Sequence, residues 1–94
     1  MDIARSDIVK ATAGRDKDKL FFVLETEGEF LLLADGKTRK LESPKRKKQK
    51  HTAFVGHCDY RVAEKIRSGD KITNSELRRA LAAFAGAGNP DQEG

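Results

Sequence analysis

Apolar residues in this chain fall into short blocks, and their spacing differs between the two halves. Asp7 to Ala13 (DIVKATA) sets Ile8 and Val9 in a partial alternation and runs into Gly14, which accepts the positive φ of a strand-to-loop exit. After the charged stretch Gly14 to Lys19 (GRDKDK), Leu20 to Glu25 (LFFVLE) and Phe30 to Ala34 (FLLLA) read as strands apolar on both faces, with Gly28 in the turn between them. Burial on both faces suits a sheet that curls over a core and is covered elsewhere by helices. Asp35-Gly36 is a two-residue hairpin signal of type I′, so Lys37 to Glu42 is predicted to return antiparallel to Phe30 to Ala34 and to stop at Pro44. His51 to Cys58 (HTAFVGHC) is the fifth predicted strand, with Ala53 and Val55 on one face and Phe54 on the other.

The period then lengthens. Val62 and Ile66 stand at i, i+4, with Asp59 placed to cap the helix start and Gly69 to end it. Thr73-Asn74-Ser75-Glu76 has the capping-box pattern, in which the Thr hydroxyl accepts from the Glu76 amide and the Glu reaches back. Leu77, Leu81 and Phe84, with Ala80 beside them, form the buried stripe of a second helix, and Arg78 and Arg79 stand on its other face. Gly86 to Gly94 has no period and reads as a flexible tail. The predicted organisation is mainly β: five strands closing a small barrel over 1–58, two α-helices over 59–85, and a tail over 86–94.

With 94 residues there is room for one modest core. The single cysteine, Cys58, forms no internal disulfide, and Asp2, Arg5 and Asp7 interrupt the N-terminal segment in a way a secretory leader does not, so a cytoplasmic setting is expected. Apolar runs such as Phe30 to Ala34 are far short of the roughly 20 residues a membrane-spanning helix needs. No membrane association is expected, and the oligomeric state is left open.

Charge changes the picture. Between Lys37 and Lys50 (KTRKLESPKRKKQK) the chain carries +7, against a formal total of +4, so the remainder is acidic by 3. Such concentrated charge is the footprint that phosphate backbones attract. The candidate RNA-binding residues are Arg15, Lys17 and Lys19 in the first loop, Lys37, Arg39 and Lys40 in the predicted hairpin, and Lys45, Arg46, Lys47, Lys48 and Lys50 in the densest segment, with His51 as a phosphate hydrogen-bonding group. Phe21, Phe22, Phe30, Phe54 and Phe84 sit in apolar patterns and read as core. Tyr60, beside Arg61, is the one aromatic placed to stack on a base.

The combined pattern DIVKATAGRDKDKLFFVL, LLLADGKTRKLESPKRKK and KHTAFV resembles the KOW-domain family, closest to the KOW-containing large-subunit ribosomal proteins and their short bacterial RNA-binding relatives. The resemblance covers about the first 58 residues, with Gly14 at the family's signature glycine, and NSELRRAL is similar to the helical tail of the bacterial members. It implies an SH3-like barrel, RNA as partner, ribosomal RNA above all, and ribosomal proteins as neighbours. One departure is that Asp18 stands where the family often carries Gly.

Catalytic chemistry finds no constellation here. His57 and Cys58 are adjacent, and adjacent strand residues point to opposite faces. Asp16 and Asp18 are surrounded by Lys and Arg, and there is no CxxC pair, HExxH helix or phosphate-binding glycine loop. No enzyme activity, cofactor or metal is expected. The alternative to RNA binding is a protein-interaction module using an apolar face of the C-terminal helices.

Overall fold

The computed structural model describes residues 3–58 and 61–87. Five antiparallel strands, β1 (Asp7–Ala11), β2 (Leu20–Glu27), β3 (Phe30–Ala34), β4 (Lys45–Lys48) and β5 (Thr52–His57), form one sheet in the order β4-β3-β2-β1-β5. Two helices follow, α1 (Arg61–Ser68) and α2 (Asn74–Ala87). The expected mainly β class with two C-terminal helices is what the chain adopts. Asp59, Tyr60 and 88–94, which carried the expected helix cap, a stacking candidate and most of the expected tail, lie outside the described residues.

The edge strands β4 and β5 are consecutive in the chain, joined by a single 3-10 turn, Gln49–His51. In a flat sheet the two edges would stand about 19 Å apart, four strand spacings of about 4.8 Å. The link from Lys48 to Thr52 spans only about 14 Å fully extended, and less as a 3-10 turn. The sheet must therefore curl. It is nonetheless open, because no ladder joins β4 to β5 among the described residues.

Curling divides the core in two. Val9, Ala11, Phe21, Val23, Leu31 and Leu33 pack inside the curl. Ile8, Phe22 and Ala34 face the other way, onto Val62, Ala63 and Ile66 of α1 and Leu77, Ala80 and Leu81 of α2. Neighbours in sequence thus enter different cores, as the two-residue period of a strand requires, which is why β1 and β2 are apolar on both sides. Each fully buried Phe, Leu or Ile contributes about 1.5–3 kcal/mol.

The β2–β3 connection is a two-residue turn between the paired residues Glu27 and Phe30. Gly28 has φ +62° and Glu29 is not in the left-handed region, the pattern of a type II′ turn. The segment after β3 differs from expectation. Asp35-Gly36 is no type I′ hairpin and Lys37 to Glu42 is no strand; β3 pairs instead with Lys45–Lys48, beyond Pro44. The physical reason lies in the Asp35 side chain, whose carboxylate accepts hydrogen bonds from the Lys37 and Arg39 amides and the Thr38 hydroxyl, holding 35–39 as a loop.

That loop packs on the start of α2. Leu41 N donates to Asn74 Oδ1, Asn74 Nδ2 donates to Glu42, and Gly36, at φ +79°, lies so close that a Cβ there would overlap the Asn74 carbonyl oxygen. The capping box forms as expected: Glu76 N donates to Thr73 Oγ1 and Thr73 N to Glu76 Oε1. The Lys65 ammonium, 2.8 Å from Glu76 and joining the two helices, together with the Thr73 amide, holds the Glu76 carboxyl below its usual range. Gly69 ends α1 in a Schellman arrangement, with Asp70 N bonded to Lys65 O and Gly69 N to Ile66 O. At the far end of α2, Phe84 lies against Gly56 of β5 so closely that any side chain there would displace it.

Candidate nucleic-acid interface

The densest basic segment, Lys45 to Lys50, which lies between two predicted strands, is itself an edge strand followed by a 3-10 turn. Lysine has low strand propensity, yet the position is explained by its neighbour. The backbone of apolar β3 needs a second ladder partner, and a charged strand at the edge blunts further sheet pairing. Cross-strand partners share a face. Lys45 and Lys47 therefore lie on the side of Leu33 and Leu31, while Arg46 and Lys48 lie on the side of Leu32 and Phe30.

The two sides do different things. Lys47 runs over the inner core and donates from Nζ to the Ala13 carbonyl at 3.0 Å, 3.4 Å from where a Gly14 Cβ would stand. On the other side, the Arg46 guanidinium sits 3.8 Å from the centre of the Phe30 ring and Lys48 Nζ 5.9 Å from it. Arg46 also meets Glu27 at 3.3 Å, an exposed pair. Phe30, expected in the core, is half-buried and forms part of this basic surface. A signal was available in the alternation of Phe30 and Leu32 against Leu31 and Leu33, but it becomes readable only once Arg46 and Lys48 are known to be their cross-strand partners.

Hydrogen bonds bring the first loop to the same place. Lys47 reaches Ala13, Thr12 N donates to the His51 carbonyl, and Gln49 N donates to the Glu29 carbonyl, so hydrogen bonds tie β4, the 3-10 turn and the β1–β2 loop together. Arg15, Lys45, Arg46, Lys47, Lys48, Lys50 and the half-buried His51 stand on these connected segments. The loop itself is tightly built. Asp18 N bonds to Ala11 O, Lys19 N to Asp16 O and Lys17 N to Gly14 O, and Asp18 adopts φ +73°, a backbone shape glycine favours.

The other flank holds the second group. Asp16 is buried, and its Oδ2 accepts from both Nε and Nη2 of Arg39, at 3.1 and 2.8 Å, with Lys19 Nζ 3.8 Å away. Arg39 is thereby engaged within the protein. Lys37 and Lys40 remain exposed beside it. Burial works against ionisation of Asp35, but the hydrogen bonds from Arg39 N, Lys37 N and Thr38 outweigh it and hold that carboxyl below its usual range. Of the expected cations, Arg15, Lys17, Lys37, Lys40, Lys45, Lys47, Lys48 and Lys50 take part in no ion pair among the described residues.

The catalytic candidates are placed elsewhere. His57 is exposed with Nδ1 2.9 Å from the buried Asp7 carboxylate, and Cys58 is buried under the helices. No helix among the described residues is long and apolar enough to cross a membrane. Arg78, expected on the outer face of α2, turns to donate to Gly36 O at 3.0 Å and to Ser75 Oγ at 3.1 Å. Compared with protein-family models and with curated protein sequences, the chain matches neither.

Proposed function

We propose that this chain is a non-catalytic RNA-binding protein, built on a KOW-type, SH3-like barrel, that holds RNA through β4, the 3-10 turn and the β1–β2 loop. The observation that carries this reading is the position of Lys45–Lys48 as an edge strand whose outer face joins Arg46 and Lys48 to an aromatic ring. Lysines there neutralise phosphates without reading sequence, and Arg46 over Phe30 offers a flat surface for an unstacked base. The forced curl and the core on both sides of the sheet support the barrel. Asp18 supports it as well: where the family often carries Gly, this chain keeps a glycine-like backbone and alters only the charge. Structured ribosomal RNA is the target the resemblance suggests, with ribosomal proteins as neighbours and the cytoplasm as the setting. The apolar stripes of α1 and α2 are spent on the chain's own core, which weighs against the helices as a protein-docking face.

The reading is tested by filter binding of ribosomal RNA fragments across a salt series. Neutralisation of about five phosphates on a single-stranded region gives a log-log slope of roughly −3.5, so affinity falls about a hundredfold between about 50 and 200 mM monovalent salt. Replacing Arg46, Lys48 and Lys50 by Gln removes about 2 from that slope; Lys47 is left in place because it anchors the first loop. Unchanged affinity and slope in the folded variant would reject β4 as the RNA surface.

A further inference from the structure

A groove of about 520 Å³ lies where the β1–β2 loop, the loop after β3 and α2 meet. Its floor is apolar, made by Leu20, Leu81 and Ala82, and Lys19, Lys37 and Arg78 line it as cations. No residue of β4 contributes to it. We infer that this groove receives one unpaired nucleobase of the bound RNA, with the adjoining phosphates held by Lys19, Lys37 and Arg78; the inference rests on the RNA-binding reading above.

Three features of the groove carry it. The first is charge: three cations line the groove against one lining carboxylate, Asp35, whose oxygens are already engaged by the Lys37 and Arg39 amides and the Thr38 hydroxyl, while Asp16, 3.8 Å from Lys19, is bonded to Arg39. A polyanion with flat apolar faces matches such a lining better than an uncharged peptide does. The second is construction. Arg78 is oriented by Gly36 O and Ser75 Oγ, which use two of the five N–H donors a guanidinium carries and leave the others for a phosphate or a base edge. The close approach of Gly36 to Asn74 sets the loop that supports it. The third is continuity. The β1–β2 loop meets β4 through Ala13 and lines the groove through Lys19, so one RNA strand crossing that loop reaches both surfaces.

The test compares an RNA hairpin, carrying 2-aminopurine in its single-stranded loop, with a fully paired duplex of the same length. Ala82→Gln narrows the groove at an exposed helical position without changing charge, and Lys37→Gln removes one exposed cation. Wild-type protein is expected to prefer the hairpin by roughly tenfold, with 2-aminopurine emission rising as the base leaves its stack. Ala82→Gln, verified folded by its thermal transition, should lose most of the preference and the emission change while keeping its duplex affinity. Lys37→Gln should weaken hairpin binding more than duplex binding. Unchanged preference and emission in both folded variants would overturn the inference, as would an acidic, aromatic peptide that Ala82→Gln excludes while RNA preference stays intact. If wild-type protein binds neither RNA, the RNA-binding reading itself fails, a result distinct from either.

Discussion

The two basic segments on either side of Pro44 lie within a few residues of each other, and the fold treats them differently. Around Lys37–Lys40 the loop is tied inward although Lys37 and Lys40 stay exposed: Arg39 closes on buried Asp16, the loop amides close on Asp35, and Gly36 is pressed against α2. In β4, Arg46 and Lys48 turn outward over a half-buried Phe30, and Arg46's carboxylate partner among the described residues is the exposed Glu27. What a cation does is set by the carboxylates within its reach, not by its membership of a basic run. In the first segment Arg39, with Asp35 and Gly36, stabilises the junction of sheet and helix while Lys37 and Lys40 stay exposed, and the second leaves its charge available to a partner.

The sharpest way to break that contrast is Gly36→Ala. A side chain at φ +79° is strained, and this one also overlaps the Asn74 carbonyl, so the combined cost is about 3 kcal/mol in chemical denaturation. A loss under 1 kcal/mol would mean that the loop and α2 separate easily and that the first segment is not a structural clamp.

Next in size is Arg39→Gln. It leaves the Asp16 carboxylate buried without its guanidinium partner, at a cost of about 2 kcal/mol, below the roughly 3–5 of a fully buried pair because Arg39 reaches solvent. RNA affinity should change little when measured under conditions where the variant is fully folded. A variant of wild-type stability with tenfold weaker RNA binding would move Arg39 from the structural group to the binding group.

Most of the fold was legible in the sequence because its signals were local. The period of β1, β2 and β3, the capping box at Thr73 and the stripe of Leu77 and Leu81 each depend on residues a few positions apart. The register of β4 was not legible. Asp35-Gly36 carries a hairpin signal, and only the side-chain hydrogen bonds of Asp35, competing with the backbone, turn it into a loop and delay the return strand beyond Pro44. The candidate surface suffered the same blindness. Its cations were visible as composition, but the withdrawal of Arg39 by Asp16, the place of half-buried Phe30 beneath Arg46 and the turn of Arg78 toward Gly36 arise from pairings more than fifteen residues apart in sequence.

A smaller effect, Asp35→Asn, sharpens the comparison through pH. The Asp35 carboxyl is held below its ordinary value of about 3.9 in the folded chain, so its contribution is fully present above that pH and is lost as pH falls toward the lowered value. At neutral pH the substitution should cost about 1 kcal/mol, because Asn keeps one oxygen acceptor and loses the charge. The gap between wild type and variant should narrow as pH drops below about 4. A gap that stays constant down to pH 2 would show that the charge of Asp35 does not hold the loop.

The smallest expected change is in the stability of Arg46→Gln/Lys48→Gln. Exposed ion pairs and exposed cation–π contacts contribute up to about 1 kcal/mol, and glutamine preserves most of the side-chain stem that covers Phe30, so the stability measured by denaturation should fall by less than about 1 kcal/mol. The β3–β4 ladder is made by backbone groups that the substitutions leave intact. In the same protein the salt dependence of RNA binding should flatten by about 1.4 in log-log slope, the share of two phosphates on a single strand. A stability loss as large as that of Arg39→Gln would put both basic segments in the same structural role. Wild-type stability with a flattened slope would instead separate them as the fold implies, because two charges would have been removed from binding and none from folding.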